Sequence, residues 1–256
     1  QDVLILKLFP LFQARAVGIV LSILVASLST EALAAKFSAL TVDARTGAIV
    51  GYKTPTTPQD PSVGLMTGIK EAAARYNFTL PDVGFLLHGT TIATNAILER
   101  KLPKAVLVTT AGFEDVLEIG RHVRREVYAL SPQQPPTLIP RDCRIGVAER
   151  IRADGRVELP LTPAALENLA AAIDRIDPVS VAVCLMNSYL NPQHEQDIAG
   201  YLAKTRPALK VSCASALSAE IREYERTSTT VLNAVLIPVI AGYLDKLTHR
   251  METKGF

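Results

Sequence analysis

The sequence predicts an α/β fold, a mixed or parallel sheet with flanking helices, on two observations. From residue 83 onward, short apolar runs alternate with helical stretches: residues 83–88 precede TIATNAILER, residues 105–109 precede GFEDVLEIG, and residues 179–186 precede QHEQDIAGYLAK. Uninterrupted apolar runs of this length read as strands covered on both faces, and helices crossing between parallel strands provide that cover. The composition agrees, because 48% hydrophobic and 20% charged residues are ordinary globular values, far from those of a disordered chain. A chain of 256 residues can bury roughly 70–75% of its extended surface, enough for one large domain or two small ones.

The balance of 27 Lys+Arg against 25 Asp+Glu leaves a net charge of +2, without the basic excess of a nucleic-acid binder, so no nucleic acid is expected among its partners. The cysteines, Cys143, Cys184 and Cys213, are odd in number and form no CxxC, which supports neither a disulfide framework nor a zinc site. Cys184 and Cys213 lie in apolar runs and read as small buried hydrophobes.

Residues 16–30 (AVGIVLSILVASLST) carry no charge, with Lys7 and Arg15 upstream and Ala32-Leu33-Ala34 downstream, the pattern of a secretory signal. The stretch falls short of the about 20 apolar residues of a membrane span. Residues 1–36 are set apart as an apolar leader, signal-like or foreign, from a domain over 37–256. A buried core helix or strand pair is the other reading of the leader. Its β-branched residues suit a strand and its alanines and leucines a helix. With no turn signal to divide it, a loosely packed helix is expected, whose removal would barely change the thermal transition of the remainder.

Residues 37–42 and 48–53 flank Asp43-Ala44-Arg45-Thr46-Gly47 and read as a hairpin with Gly47 at positive φ. Three prolines make residues 54–61 a loop. Ser62 is placed as the N-cap of a helix running to about Tyr76. After the strand-helix pairs already named, residues 129–141 form a proline-rich connection, and residues 143–151 and 156–159 read as a second hairpin around Ala153-Asp154-Gly155. Thr162-Pro163 and Asn191-Pro192 each join a cap to a proline at a helix start. Residues 209–214 are the last strand, and residues 224–251 a helix that Pro238 kinks or divides.

Three segments carry chemistry. In LLHGTTIATNAILER, His88 sits at a strand end, and Thr90, Thr91, Thr94 and Asn95 fall on the first turns of a helix. Free backbone N–H groups and the positive dipole end make such a junction a candidate anion or carbonyl-oxygen site; simple capping by Thr90 or Thr91 is the alternative. In REYERTSTTVLNAVLIP, Arg222, Glu223, Glu225 and Arg226 precede the hydroxyl run Thr227-Ser228-Thr229-Thr230, a candidate site or an exposed salt-bridged cap. In TTAGFEDVLEIGRHVRREVY, Arg121, Arg124 and Arg125 bind an acidic group or decorate a solvated face. His122 and His194 lack partners at metal spacing, His249 lies near the end, and no metal site is read.

Together and in this order, VDARTGAIVGYKTPTTPQDPSVGL, HGTTIATNAILER, VTTAGFEDVLEIGR, NSYLNPQHE and REYERTSTTVLNA resemble the amino-terminal region of the hydantoinase/oxoprolinase family, which includes acetone carboxylase subunits. The resemblance covers residues 42 to about 247. It implies an ATP-dependent hydrolase that opens a cyclic amide such as hydantoin or 5-oxoproline through phosphorylation of the lactam oxygen. It further implies an actin-like (ribonuclease-H-like) ATPase fold, present in part, ATP and Mg2+ as cofactors, a cytoplasmic location unless the leader directs export or membrane association, and a partner that is a second hydantoinase-type subunit or the family's larger carboxyl-terminal region. On this resemblance His88, Thr90, Thr91, Asn95, Arg222 and Glu225 are candidate catalytic residues, and Arg121, Thr227, Ser228 and Thr229 candidate substrate-binding residues.

The chain departs from the family at its start. Where relatives carry a glycine-rich phosphate loop resembling DVGGTFTD, this sequence has Ala35-Lys36-Phe37-Ser38-Ala39, and no nucleotide-holding residue is identified. Glycine lets a backbone approach phosphate closely and the aspartate would organise the metal ion. The chain alone is expected to be inactive toward ATP, and a noncatalytic remnant or interaction module that keeps the fold is the rival reading.

Overall fold

The computed structural model describes residues 19–24, 36–43, 47–55, 57, 59–123, 128, 130 and 136–254, with side chains from residue 41 onward. Contacts divide the chain into two compact units, Gln1–Asn95 with Ile240–Phe256, and Ala96–Val239. The signal-like flanks Lys7, Arg15 and Ala32-Leu33-Ala34, and also Arg124 and Arg125, lie outside the described residues.

In the first unit, strands β1 (Ile19–Leu24), β2 (Lys36–Asp43), β3 (Ile49–Pro55) and β4 (Phe85–Gly89) form one mixed sheet in the order β3-β2-β1-β4. The expected hairpin is β2 with β3, antiparallel from Lys36 opposite Pro55 to Val42 opposite Ile49, and Gly47 has φ 69°. Within residues 16–30, where a helix is expected, residues 19–24 form strand β1 instead. It runs antiparallel to β2 (Ile19 opposite Asp43) and parallel to β4 (Val20 opposite Phe85), so it occupies an interior place in the sheet. Its residues Ile19, Val20 and Ile23 are β-branched, and partners on both sides decide what local propensity left balanced.

Helix α1 (Pro61–Tyr76) ends where expected but is capped by Asp60, not Ser62: the Asp60 carboxylate accepts from Ser62 N, and Pro61 takes the first helical position. Its buried face, Leu65, Met66, Ile69 and Ala72, packs with Phe78, Val83 and Leu86 and with Tyr243, Leu247 and Met251. Gly68 permits this approach, because a Cβ there would stand 2.7 Å from Thr54 Cγ2 on β3. Helix α2 (Ile92–Leu98) follows β4 and is shorter than the sequence suggests, with Arg100 at φ 54° just past its end.

In the second unit, β5 (Ala105–Thr110), β6 (Arg144–Val147), β9 (Ser180–Cys184) and β10 (Lys210–Cys213) form a sheet parallel at every pairing, in the order β10-β9-β5-β6. Helices α4 (Pro163–Ile176) and α5 (Gln193–Thr205) follow β6 and β9. Both faces are covered, as the apolar runs require. Val106, Val108, Val181 and Val183 meet Leu169, Ile173, Ile198 and Leu202, whereas Ala105, Leu107, Ala182 and Cys184 meet Val231, Ala234 and Val235.

The second hairpin is only partly as expected. Residues 144–147 belong to the parallel sheet, and the hairpin is reduced to β7 (Arg150–Ile151) with β8 (Val157–Leu159). Helix α3 (Val116–Ile119) is a single turn between Gly112 and Gly120, both at positive φ, not the nine residues the pattern suggests. Thr162 caps α4 through Ala165 N, as expected, and Asn191 Oδ1 accepts from Gln193 N at the start of α5.

Between β10 and the last helix lies the short α6 (Ala214–Leu217). Helix α7 (Glu223–Glu252) then runs unbroken past Pro238, so the proline does not divide it. By length and composition alone it is long and apolar enough to cross a membrane. Of its apolar residues, Val231, Ala234 and Val235 pack in the second unit's core and Tyr243, Leu247 and Met251 in the first's.

The place of β1 reverses the expectation for the leader. Deleting residues 1–35 removes a strand that pairs on both sides, so the shortened chain should lose its cooperative transition or become insoluble; a thermal transition unchanged within a degree or two would show β1 dispensable.

Candidate functional site

In a parallel sheet, ligand sites gather outside the carboxyl ends of the strands, at the point where successive connections leave in opposite directions. In the second unit that point is β5, which has β6 on one side and β9 on the other. The residues there are polar and buried: Thr110 ends β5, Glu149 follows β6, and Ser188, His194, Glu195, Arg226 and Thr227 surround the end of β9.

Two bonded groups organise this edge. The first runs from Met186 N, which donates to Thr110 Oγ1 at 3.0 Å, through the Thr110 hydroxyl, which donates to Glu149 Oε1, to His194 Nδ1, 2.7 Å from Glu149 Oε2. Leu161 N donates to His194 Nε2 at 3.4 Å, which leaves Nδ1 to face Glu149. Both nitrogens are engaged, which makes His194 a structural hub with no nitrogen left for proton transfer.

The second group joins Glu195 and Arg226 through the end of β9. Glu195 accepts from Leu185 N at 2.9 Å and from Ser215 N at 2.8 Å, one main-chain N–H on each carboxylate oxygen. Arg226, with no solvent-exposed surface, donates from Nη2 to Leu185 O at 2.6 Å and Ser188 Oγ at 2.7 Å, stands 3.3 Å from Glu223, and lies under the Tyr189 ring. Its Nε and Nη1 have no protein partner. Burial raises the pKa of Glu223, with Arg226 opposing the shift. Glu223 Oε1 accepts from the N–H of Asn187, a residue at φ 56° whose side-chain amide donates to Ile151 O.

The residues favoured from sequence fall around and away from this edge. Thr227 is buried and donates to Cys184 Sγ at 3.2 Å, a thiol that burial pushes up to about 11. Arg121 and Glu225 form an exposed ion pair, with Nη2 at 2.6 Å and Nε at 2.7 Å from Oε1. A hydrogen bond from its own backbone and the nearby Arg121 hold Glu225 below the ordinary carboxylate range. Arg121 and Ser228 line one cleft of about 670 Å³ with Arg100, Thr137, Tyr224 and Val231. Arg222 and Thr229 are exposed, and Arg222 has φ 93°.

His88, Thr90, Thr91 and Asn95 belong to the first unit. His88 is 4% exposed, and its Nε2 lies 2.6 Å from the Tyr243 hydroxyl, while Nδ1 has no partner. Burial lowers its pKa to about 4 and raises that of Tyr243. Thr90 Oγ1 accepts from Ile92 N at 3.3 Å, and the Thr91 carbonyl accepts from Asn95 N at 2.9 Å, the capping alternative for this junction. Among the described residues, no three of His, Cys, Asp and Glu converge to hold a metal ion.

Residues 38–205 match the family described as hydantoinase/oxoprolinase N-terminal region. The chain belongs to the hydantoinase/oxoprolinase family. It is 34% identical over 213 residues to the caprolactamase subunit alpha of Pseudomonas jessenii, a match covering 80% of this chain and 30% of that protein. It is 35% identical over 181 residues to 5-oxoprolinase 1 of Arabidopsis thaliana, covering 64% and 14%. The crystal structure of the ATP-dependent caprolactamase from Pseudomonas jessenii superposes with a TM-score of 0.80 at 30% identity, over 92% of this chain and 34% of that one. The chain thus spans between 14% and 34% of the length of these relatives.

For a hydantoinase/oxoprolinase-family chain, the buried edge residues were harder to find in sequence than the hydroxyl runs. A helical projection places Arg226 on the same stripe as Thr230 and Ala234, all buried, and that spacing was the available signal. Glu149 had none, because its segment reads as an exposed hairpin.

The state of His88 gives a pH prediction. Its folded pKa of about 4 lies below the ordinary histidine value of 6.5, so the unfolded chain binds the extra proton and stability is lost as pH falls from 6.5 through 4. The loss is on the order of 3 kcal/mol at its limit. Urea midpoints at pH 7 and pH 4.5 should differ less in His88→Gln than in the unaltered chain; equal differences would show that His88 is not the linked group.

Proposed function

We propose that this chain is the amino-terminal portion of an ATP-dependent cyclic-amide hydrolase, inactive toward ATP by itself. The observation that carries the proposal is the match to the ATP-dependent caprolactamase over 92% of the chain at 30% identity. In the reaction envisaged, the γ-phosphoryl group passes from ATP to the lactam oxygen with release of ADP. Water then adds to the activated carbon, the C–N bond breaks with the nitrogen leaving as the amine, and a second water hydrolyses the acyl phosphate that remains, giving the open amino acid and inorganic phosphate. Hydantoin, 5-oxoproline and other small lactams are the substrate class.

The first unit, a three-stranded antiparallel meander with β4 parallel to β1, is read as the amino-terminal part of an actin-like nucleotide fold. Residues 25–35, which join β1 to β2, contain no glycine. Ala35-Lys36-Phe37-Ser38-Ala39, in the place of the family's phosphate loop, also lack its glycines and aspartate, so no residue of this stretch is assigned to that loop or to Mg2+ and no step is assigned to a metal here. Nucleotide binding is expected to need the region that occupies the rest of the relatives' length, or a second hydantoinase-type subunit, in the cytoplasm.

Arg121 and Ser228, which line the cleft, and Glu225, ion-paired with Arg121, are proposed to contact substrate, with the Tyr224 ring as an apolar wall. Arg222 and Thr229, exposed and next to them in sequence, are proposed to contribute to that reaction, and Thr90, Thr91 and Asn95, around the start of α2 in the first unit, are proposed as catalytic residues of the complete enzyme. His88 and Thr227 act as positioning residues, through Tyr243 and Cys184. The rival reading, a noncatalytic module, is favoured by the same glycine-free connection.

The readout is lactam-dependent ADP release. The chain alone should give none above a heat-killed control with 5-oxoproline, hydantoin or caprolactam, whereas addition of a polypeptide supplying the missing two thirds of the family's length should restore it. Activity of the chain alone would overturn its inactivity, and no activity in the combined protein would favour the noncatalytic module.

A further inference from the structure

Within the first unit, α1 and the last turns of α7 enclose a cleft of about 430 Å³. Its cations are Lys70 on α1, Lys246, His249 and Arg250 at successive turns of α7, and Lys254 just past the end of α7. Val63, Met66, Thr67 and Thr253 complete its lining. Four permanent positive charges around one small cleft exceed the net charge of the whole chain, which is +2.

The compensation is incomplete. Asp60 lies 2.9 Å from Arg250 Nη2 and is already committed to capping α1 at Ser62. Among the described residues, Lys70, Lys246 and Lys254 make no ion pair, and no carboxylate lines the cleft. Such convergence of like charge is unfavourable without a ligand, and it persists where an anion repays it.

The shape narrows the anion. The volume is that of a small-molecule site, whereas a stable protein partner needs roughly 800 Å² of surface on each side. A single carboxylate would leave most of the cations unpaired, and lysine ammonium groups on flexible stems suit the spread oxygens of phosphate. We propose that this cleft binds a small anion bearing two or more phosphate groups. The site stands apart from the proposed lactam chemistry, since no residue assigned to that reaction lines it.

The test uses the full chain and tripolyphosphate as probe, followed by calorimetry at low salt. One saturable site is expected, with inorganic phosphate bound more weakly and affinity falling steeply as salt rises, as for any multivalent phosphate contact. The double variant Lys70→Glu/Lys246→Glu should weaken binding roughly tenfold or more, while Lys101→Glu, on the other unit, should leave it unchanged. If the reversal unfolds the chain, Lys70→Gln/Lys254→Gln replaces it, with the same direction expected. Absence of saturable binding, equal losses in Lys101→Glu, or tighter binding of an acidic peptide would overturn the proposal. Pelleting with vesicles bearing phosphorylated headgroups, without tripolyphosphate binding, would overturn it as well.

Discussion

The burial of Glu195 and Arg226 at the end of β9 is the constraint on which the second unit depends. A charge taken out of water must find partners or the fold pays for it in full. Glu195 finds them in the N–H groups of Leu185 and Ser215, so one carboxylate joins the end of β9 to the start of the turn after β10. Arg226 binds the Leu185 carbonyl from α7, which means that the same residue is gripped at its N–H by an anion and at its C=O by a cation. The end of the central strand is thereby fixed, and with it the turn that presents Ser188 and Asn187.

The Thr110–Glu149–His194 chain repeats the logic across β5 and β6. Each buried acceptor meets a donor from a different element, so the strand ends cannot separate without exposing an unpaired group. Gly146 belongs to the same arrangement: a Cβ there would stand 1.9 Å from Glu114 Oε1 and 3.0 Å from Ala111 Cα, so only glycine lets that loop lie against β6. Farther along the same strand, Arg144 holds the loop through Glu118 and through the carbonyls of Glu114 and Ile139. The open clefts beside this edge are shaped by groups that are themselves hidden.

Much of the fold was legible because its signals are local. The apolar runs of β5 and β9, the Thr162-Pro163 start of α4 and the Gly47 turn each depend on neighbours within a few residues. What was not legible depends on distant pairing. The segment 19–24 has balanced helix and strand propensity, and only β2 and β4, one on each side, make it a strand. Residues 144–147 read as a hairpin arm until Leu107 to Thr110 are placed beside them in parallel. The site divided in the same way: hydroxyls and exposed charges drew notice as residue types, whereas Glu149 and Glu195 matter for what they meet across the sheet, which no spacing in the sequence encodes. Family resemblance recovered the motif that ends in Glu195 without saying that its side chain faces inward, and no motif that contains Glu149.

The claim that buried charge, and not the exposed hydroxyl run, fixes the edge of the sheet is tested most directly by hydrogen exchange at two amides. In the unaltered chain, Leu185 N–H and Ser215 N–H should exchange slowly, with protection close to that of the β9 core. Glu195→Gln keeps the shape but sets a side-chain NH2 against one of the two N–H donors, at a cost of about 1–3 kcal/mol. Protection at both amides should then fall while that at Val181 and Val183 persists. Unchanged protection at Leu185 and Ser215 in the variant would contradict the account.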